Sequence, residues 1–152
     1  MNNKYFTVCG IVEIDNKILL VRHTYGTAKG RILIPGGYVQ NDELPARAIE
    51  REIFEETGVT VQAKSIFATQ FKFNEWCMVF TTEYIRGEPQ PDYYENNEVI
   101  LLDATEAIKR DDITNMSREI LKAYIHNKKN TLIKSNYVPL SSNAKEYEIY
   151  GV

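Results

Sequence analysis

Cysteine is scarce. Cys9 and Cys77 are the only two, they lie far apart in the chain, and they form no CxxC pair. That excludes a disulfide framework. Each sits in an apolar run, so each reads as a buried core thiol in a reducing, cytoplasmic setting. Long hydrophobic runs are also missing. No stretch reaches the ~20 apolar residues needed to span a bilayer. Tyr5 to Val12 is apolar, but Glu13 and Asp15 follow at once and no small-residue cleavage site is visible. This segment reads as a buried strand, not a targeting signal. An excess of positive charge is absent as well. Lys and Arg number 18 against 21 Asp and Glu, a formal net charge of -3. The chain therefore has no global attraction for nucleic acid or an anionic membrane. An anionic ligand would have to be held by local positive charge or by bound metal.

What is present suits one compact domain. The 152 residues are 43% hydrophobic and 26% charged, values of an ordinary globular core. Tyr5 to Ile14 and Ile18 to Val21 flank Asp15-Asn16 and read as a hairpin. His23 to Gly30 reads as a loop, and Arg31 to Ile34 as a short strand ended by Pro35-Gly36-Gly37. Leu44 to Thr57 has helical spacing and stops at Gly58. Val59 to Phe73 and Trp76 to Ile85 read as strands, Gly87 to Asn97 as a loop, and Glu98 to Leu102 as a strand. Ala104 to Arg110 and Thr114 to His126 are predicted helices. Strands and helices mix without βαβ alternation, which points to the α+β class. Residues 1–127 are expected to form a single domain. Residues 128–152 form a polar C-terminal extension, either an added strand or a partly disordered tail.

The chemistry is concentrated in the predicted helix. Successive helical residues turn by about 100°, so Glu52, Glu55 and Glu56 share one face at i, i+3 and i+4. Ala46, Ile49 and Ile53 form an apolar stripe beside them, while Arg47 and Phe54 point away. Three carboxylates this close repel one another. They also lie toward the helix C-terminus, where the macrodipole disfavours negative charge. Fold stability gives no reason for that placement, whereas a divalent cation does. Hard oxygen donors on a rigid element suit Mg²⁺ or Mn²⁺. Pro35-Gly36-Gly37 permits close backbone approach nearby. Arg51 can hold Glu43 or another carboxylate by a forked hydrogen bond.

In order, the segment runs Gly37, five residues, Glu43, seven residues, Arg51-Glu52, Ile53, Phe54, Glu55-Glu56, Thr57, Gly58 and Val59. This resembles the Nudix box, with every specified position filled over about a sixth of the chain. The resemblance implies a Nudix fold, a mixed β-sheet sandwiched between helices. It implies divalent-metal-dependent hydrolysis of a nucleoside diphosphate linked to another moiety, by in-line attack of a metal-activated water. It also implies metal ligation by Glu52, Glu55 and Glu56 with the Gly37 carbonyl, and an Arg51 that orients a catalytic carboxylate. Glu52 or a glutamate from a later loop is implied as base. Glu98 is the first choice for the loop residue and Glu95 its competitor. The family lean is toward a nucleotide-sugar such as ADP-ribose. The alternatives are a house-cleaning triphosphate pyrophosphohydrolase and a nucleotide sensor that does not cut. Retention of all three helix carboxylates argues against the sensor. Dimers are common in the family, so a homodimer is a further expectation. The chain departs from common patterns at Gln40, often acidic, at Ile32, often aromatic, and at Leu44, a poor helix cap.

Outside the box, Arg22 is a candidate phosphate contact and Glu43 a candidate substrate-binding residue. His23 is weighed as a general base, and Lys29 and Arg31 as phosphate contacts. Phe71, Phe73, Trp76 and Tyr84 could stack a nucleobase, but their placement in strands reads first as core.

Overall fold

A computed structural model of the protein describes residues 4–136 and 148–152. The run read as one strand, Tyr5 to Ile14, serves two sheets. Strand β1 (Tyr5–Ile11) ends before Val12, and β2 (Glu13–Ile14) turns into β3 (Lys17–His23). Asp15 and Asn16 have φ of 50° and 64°, the left-handed pair that a two-residue hairpin turn requires. The expected hairpin is therefore real but short, joining β2 to β3. Strand β1 instead runs parallel to β7 (Glu75–Arg86) and antiparallel to β5 (Gly36–Tyr38).

The Pro-Gly-Gly segment was expected only to end a strand. It forms β5, because bare glycine lets two backbones meet. A Cβ on Gly36 would collide with the Val8 carbonyl oxygen. Strand β4 (Ile32–Leu33) precedes it. A long hairpin of β6 (Thr60–Phe71) and β7 completes most of the first sheet, whose order is β5-β1-β7-β6-β9. Strand β9 (Leu132–Ile133) lies in the C-terminal extension and adds to the edge of β6. Residues 137–147 of that extension fall outside the described residues. In the second sheet β3 is central, pairing with β2, β4 and β8 (Asn96–Leu102).

Side chains alternate across a strand, so β1 and β7 feed two cores. Val8 and Phe80 pack with Ala46, Ile49 and Ile53 of α1 (Pro45–Thr57). Ile11 and Val79 pack with Ile120, Leu121 and Tyr124 of α3 (Asn115–His126). A mixed sheet with helices on both faces is the architecture that the α+β reading anticipated. Helix α1 starts at Pro45, whose missing N–H costs nothing at the first helical position. Leu44 ahead of it makes no side-chain cap. The helix ends at Gly58, with φ of 70°.

Two expectations fail. The predicted helix Ala104 to Arg110 is only α2 (Ala104–Ala107), since Lys109 and Arg110 close tight i→i+3 bonds onto Glu106 and Ala107. The strand aromatics are not core. Phe71, Phe73, Trp76 and Tyr84 are all exposed. The first three cluster where the β6–β7 hairpin turns, and Phe71 and Phe6 meet Trp76 edge to face. Among the described residues no helix is long and apolar enough to cross a membrane.

Candidate active site

The apolar stripe of α1 sets how deeply each carboxylate sits. Glu56 follows the buried turn and is only 1% exposed. Its Oε2 accepts the Gly36 N–H at 3.0 Å. Its Oε1 is buried without a hydrogen-bond partner and faces His23 Nε2, itself unpartnered, at 3.5 Å. The Asn96 side-chain amide donates to the Glu56 carbonyl at 2.8 Å and pins the helix there. Burial pushes the Glu56 carboxyl above the usual carboxylate range, and His23 and the Gly36 amide offset part of that rise.

Glu52 lies against the strand before the helix. A Cβ on Gly37 would run into the Glu52 carboxylate, so only glycine allows that approach. Arg51 Nη1 donates to Glu52 Oε1 at 2.8 Å. Burial again raises the carboxyl's proton affinity; Arg51 opposes this, and the neighbouring charges of Glu55 and Glu95 add to it. Glu55 is the outermost of the three, with its side chain 55% exposed, and accepts from Arg51 Nη1 at 3.0 Å.

Arg51 is the hub. Its Nε and Nη2 fork onto the two Glu43 oxygens at 2.7 and 2.9 Å, and Nη2 also donates to the Tyr38 carbonyl. The guanidinium holds Glu43 below the usual carboxylate range, helped by the Gln40 amide. Both Glu43 oxygens are thus engaged, by Arg51 and by the Gln40 amide. The clamp itself is the forked bond anticipated from sequence.

The tertiary structure gathers Gly37, Glu43, Arg51, Glu52, Glu55 and Glu56, and leaves Arg22 and Glu98 out. Those two pair with each other across β3 and β8, with Nε to Oε2 at 2.6 Å. Arg22 also donates to Asp112 and to the Gly30 carbonyl. Among the described residues neither side chain bonds to α1. Arg31 likewise faces away, donating to the carbonyls of Asp111 and Ile113. Alternation explains the exchange. Ile18 and Leu20 pack in the α3-side core and Arg22 continues that face, whereas Leu19 and Val21 pack on α1 and His23 continues theirs. His23, not Arg22, therefore reaches the helix, although sequence weighed it only as a base. Its ring stacks on Tyr25 at 5.4 Å, and the Tyr25 hydroxyl donates to Glu95. The charge of Glu95 is felt at Glu52, whose carboxyl it helps to raise.

The donor chemistry fits a hard divalent cation: carboxylate oxygens, the bare backbone of Gly37, and one buried Glu56 oxygen that accepts no hydrogen bond and faces only His23. Among the described residues no three His, Cys, Asp or Glu side chains are already drawn up around one point. The reason is visible in Arg51, which holds Glu52 and Glu55 while Glu56 turns to Gly36. A cleft of about 390 Å³ lies on the opposite, α3 face of the sheet, lined by Thr69, Gln70, Asn115, Met116 and Glu119 among others. It contains none of the helix carboxylates.

With this geometry in hand, a family model described as NUDIX domain matches residues 2–124. The chain belongs to the Nudix family. An ADP-ribose pyrophosphatase from Methanocaldococcus jannaschii is 46% identical over 59 residues, 39% of this chain and 35% of that protein. An NAD-capped RNA hydrolase from Vibrio atlanticus is 29% identical over 118 residues, 75% of this chain and 44% of that protein. The chain thus spans less than half the length of these curated relatives. The crystal structure of a Nudix hydrolase from Nitrosomonas europaea superposes with a TM-score of 0.75 at 26% identity, covering 83% of this chain and 72% of that one.

Proposed function

We propose that this Nudix protein is a divalent-metal-dependent pyrophosphohydrolase. The reading rests on one observation: Glu52 and Glu56, both desolvated, lie beside the bare Gly36-Gly37 backbone, and one buried Glu56 oxygen accepts no hydrogen bond and has only His23 Nε2 near it, at 3.5 Å. Burying an unsatisfied carboxylate oxygen is costly unless something binds there. Glu52, Glu55, Glu56 and the Gly37 carbonyl would hold Mg²⁺ or Mn²⁺, which would supply charge neutralisation for a diphosphate and acidify water. Arg51 is a positioning residue that fixes one oxygen of Glu52. The other Glu52 oxygen, or the loop carboxylate of Glu95, would accept the proton of the attacking water. Water oxygen bonds to phosphorus in line, the anhydride P–O bond breaks, and its electron pair leaves with the departing phosphate. Glu95 takes the place first given to Glu98 as the loop carboxylate near this chemistry.

For substrate, we favour a nucleoside diphosphate joined to another group, ADP-ribose first. The support is the relative named for ADP-ribose, together with relatives named for NAD-capped RNA. Both names contain an adenosine diphosphate linkage. The products would be a nucleoside monophosphate and a phosphorylated remainder. The test is a panel of nucleotide sugars, dinucleotides, NAD-capped RNA and nucleoside triphosphates with Mg²⁺ or Mn²⁺. It is run beside Glu55→Gln and Glu56→Gln, each expected to lose at least ~100-fold in turnover. Near-normal rates in both variants would overturn the site, and tight nucleotide binding without turnover would make the protein a sensor instead.

A further inference from the structure

We infer that Cys9 and Cys77 form an oxidisable dithiol site, closed to a disulfide by a peroxide-class oxidant, whose state reaches the carboxylate site through β1 and β5. The two thiols are 68 residues apart in the chain, yet their sulfurs lie 3.6 Å from each other. The parallel register of β1 and β7 pairs Thr7 with Cys77 and Cys9 with Val79. Both side chains thus fall on the same sheet face, diagonal to each other. A disulfide needs about 2.05 Å between sulfurs, and because diagonal residues have Cα atoms about 7–8 Å apart, closing it requires β1 and β7 to shift toward each other. Cys77 is buried and Cys9 half-buried, and the Cys77 hydrogen bond together with burial pushes the Cys9 thiol up. The hydrogen bond from Cys9 also favours the thiolate on Cys77.

The chemistry balances. One thiolate attacks a peroxide oxygen, an S–O bond forms, the O–O bond breaks, and the departing hydroxide leaves as water with the thiol proton. The second sulfur attacks the sulfenic sulfur, the S–S bond forms, and hydroxide again leaves as water with the second proton. Two thiols and one hydrogen peroxide give one disulfide and two waters.

The coupling is a matter of register. Cys9 pairs with Gly36, and Val8 with Gly37. Gly36 carries the amide that holds Glu56 Oε2, and its backbone sits so close to β1 that a Cβ there would lie 2.8 Å from the Cys9 Cα. Drawing Cys9 toward β7 therefore shifts the strand against which Gly36 and Gly37 rest. This second half rests on the carboxylate site proposed above.

The test treats the full chain with hydrogen peroxide, maps thiols under denaturing conditions, and measures Mn²⁺ affinity by electron paramagnetic resonance without substrate. The expected result is one intramolecular Cys9–Cys77 linked peptide pair, reversed by dithiothreitol, with several-fold weaker Mn²⁺ binding in the oxidised form. Cys77→Ser should abolish both changes. Two thiols that stay free, or that oxidise separately to sulfinic acids, would overturn the dithiol site. A disulfide that leaves Mn²⁺ affinity unchanged would overturn the coupling. A reduced protein that binds no Mn²⁺ at all would count against the proposed hydrolase site while the thiol map stands on its own.

Discussion

Glu56 shows how burial and charge compete at a single residue. Its carboxyl is raised from an ordinary value of 4.5 because burial disfavours the ionised form. The folded state then holds the proton more tightly than the unfolded chain does. Stability in metal-free buffer must fall as pH rises from that ordinary value through the raised one. Glu43 behaves in the opposite sense, since Arg51 lowers it; its contribution is present above its ordinary value and lost on acidification. Glu56→Gln removes the first effect. Urea midpoints of the metal-free variant should decline less between acid and neutral pH than those of the parent, and equal declines would absolve Glu56. Arg51→Lys should be far from conservative, because a single ammonium cannot reproduce the fork onto Glu43 and the bond to Glu52. We expect a loss of about 2 kcal/mol in denaturant titrations, with turnover falling as well.

At the scale of elements, the site is an agreement between β5 and α1. Gly37→Ala should leave the fold intact and displace the Glu52 carboxylate, lowering turnover with little change in melting temperature. Gly36→Ala should behave differently, because its Cβ meets the Val8 backbone and not a movable side chain. Loss of cooperative unfolding is the expected readout for that variant. On the other side of the helix, Ile53 is fully buried and packs against Gly10. Ile53→Ala should cost about 2–5 kcal/mol in denaturant titrations.

At the scale of the molecule, the two cores that flank the sheet are built from apolar side chains and not from the carboxylate cluster. Chelation should therefore abolish hydrolysis while far-ultraviolet circular dichroism and cooperative melting persist, and added Mg²⁺ should restore the rate. A chain that unfolds on chelation would show that the carboxylate site supports the fold itself. The exposed aromatic cluster at the β6–β7 turn belongs to this scale too. Their placement in strands reads first as core, but the rings lie exposed at the turn, where Phe71 and Phe6 pack on Trp76.

The amino-acid sequence alone determined the acid-rich helix, its end at Gly58, the shared face of Glu52, Glu55 and Glu56, and that Arg51 would hold Glu43 or another carboxylate. These depend on spacings within a few turns of chain, where the period of the helix suffices. Tertiary structure decided what depends on pairing between distant strands. It chose His23 over Arg22, because register and alternation aim one at α1 and the other at β8 and Asp112. It left Glu98 with Arg22 and tied Glu95 to Tyr25. It made Gly36-Gly37 a strand, since the reason for glycine there is the Val8 backbone, some thirty residues earlier in the chain. And it set two scarce cysteines side by side, a proximity that no local pattern encodes.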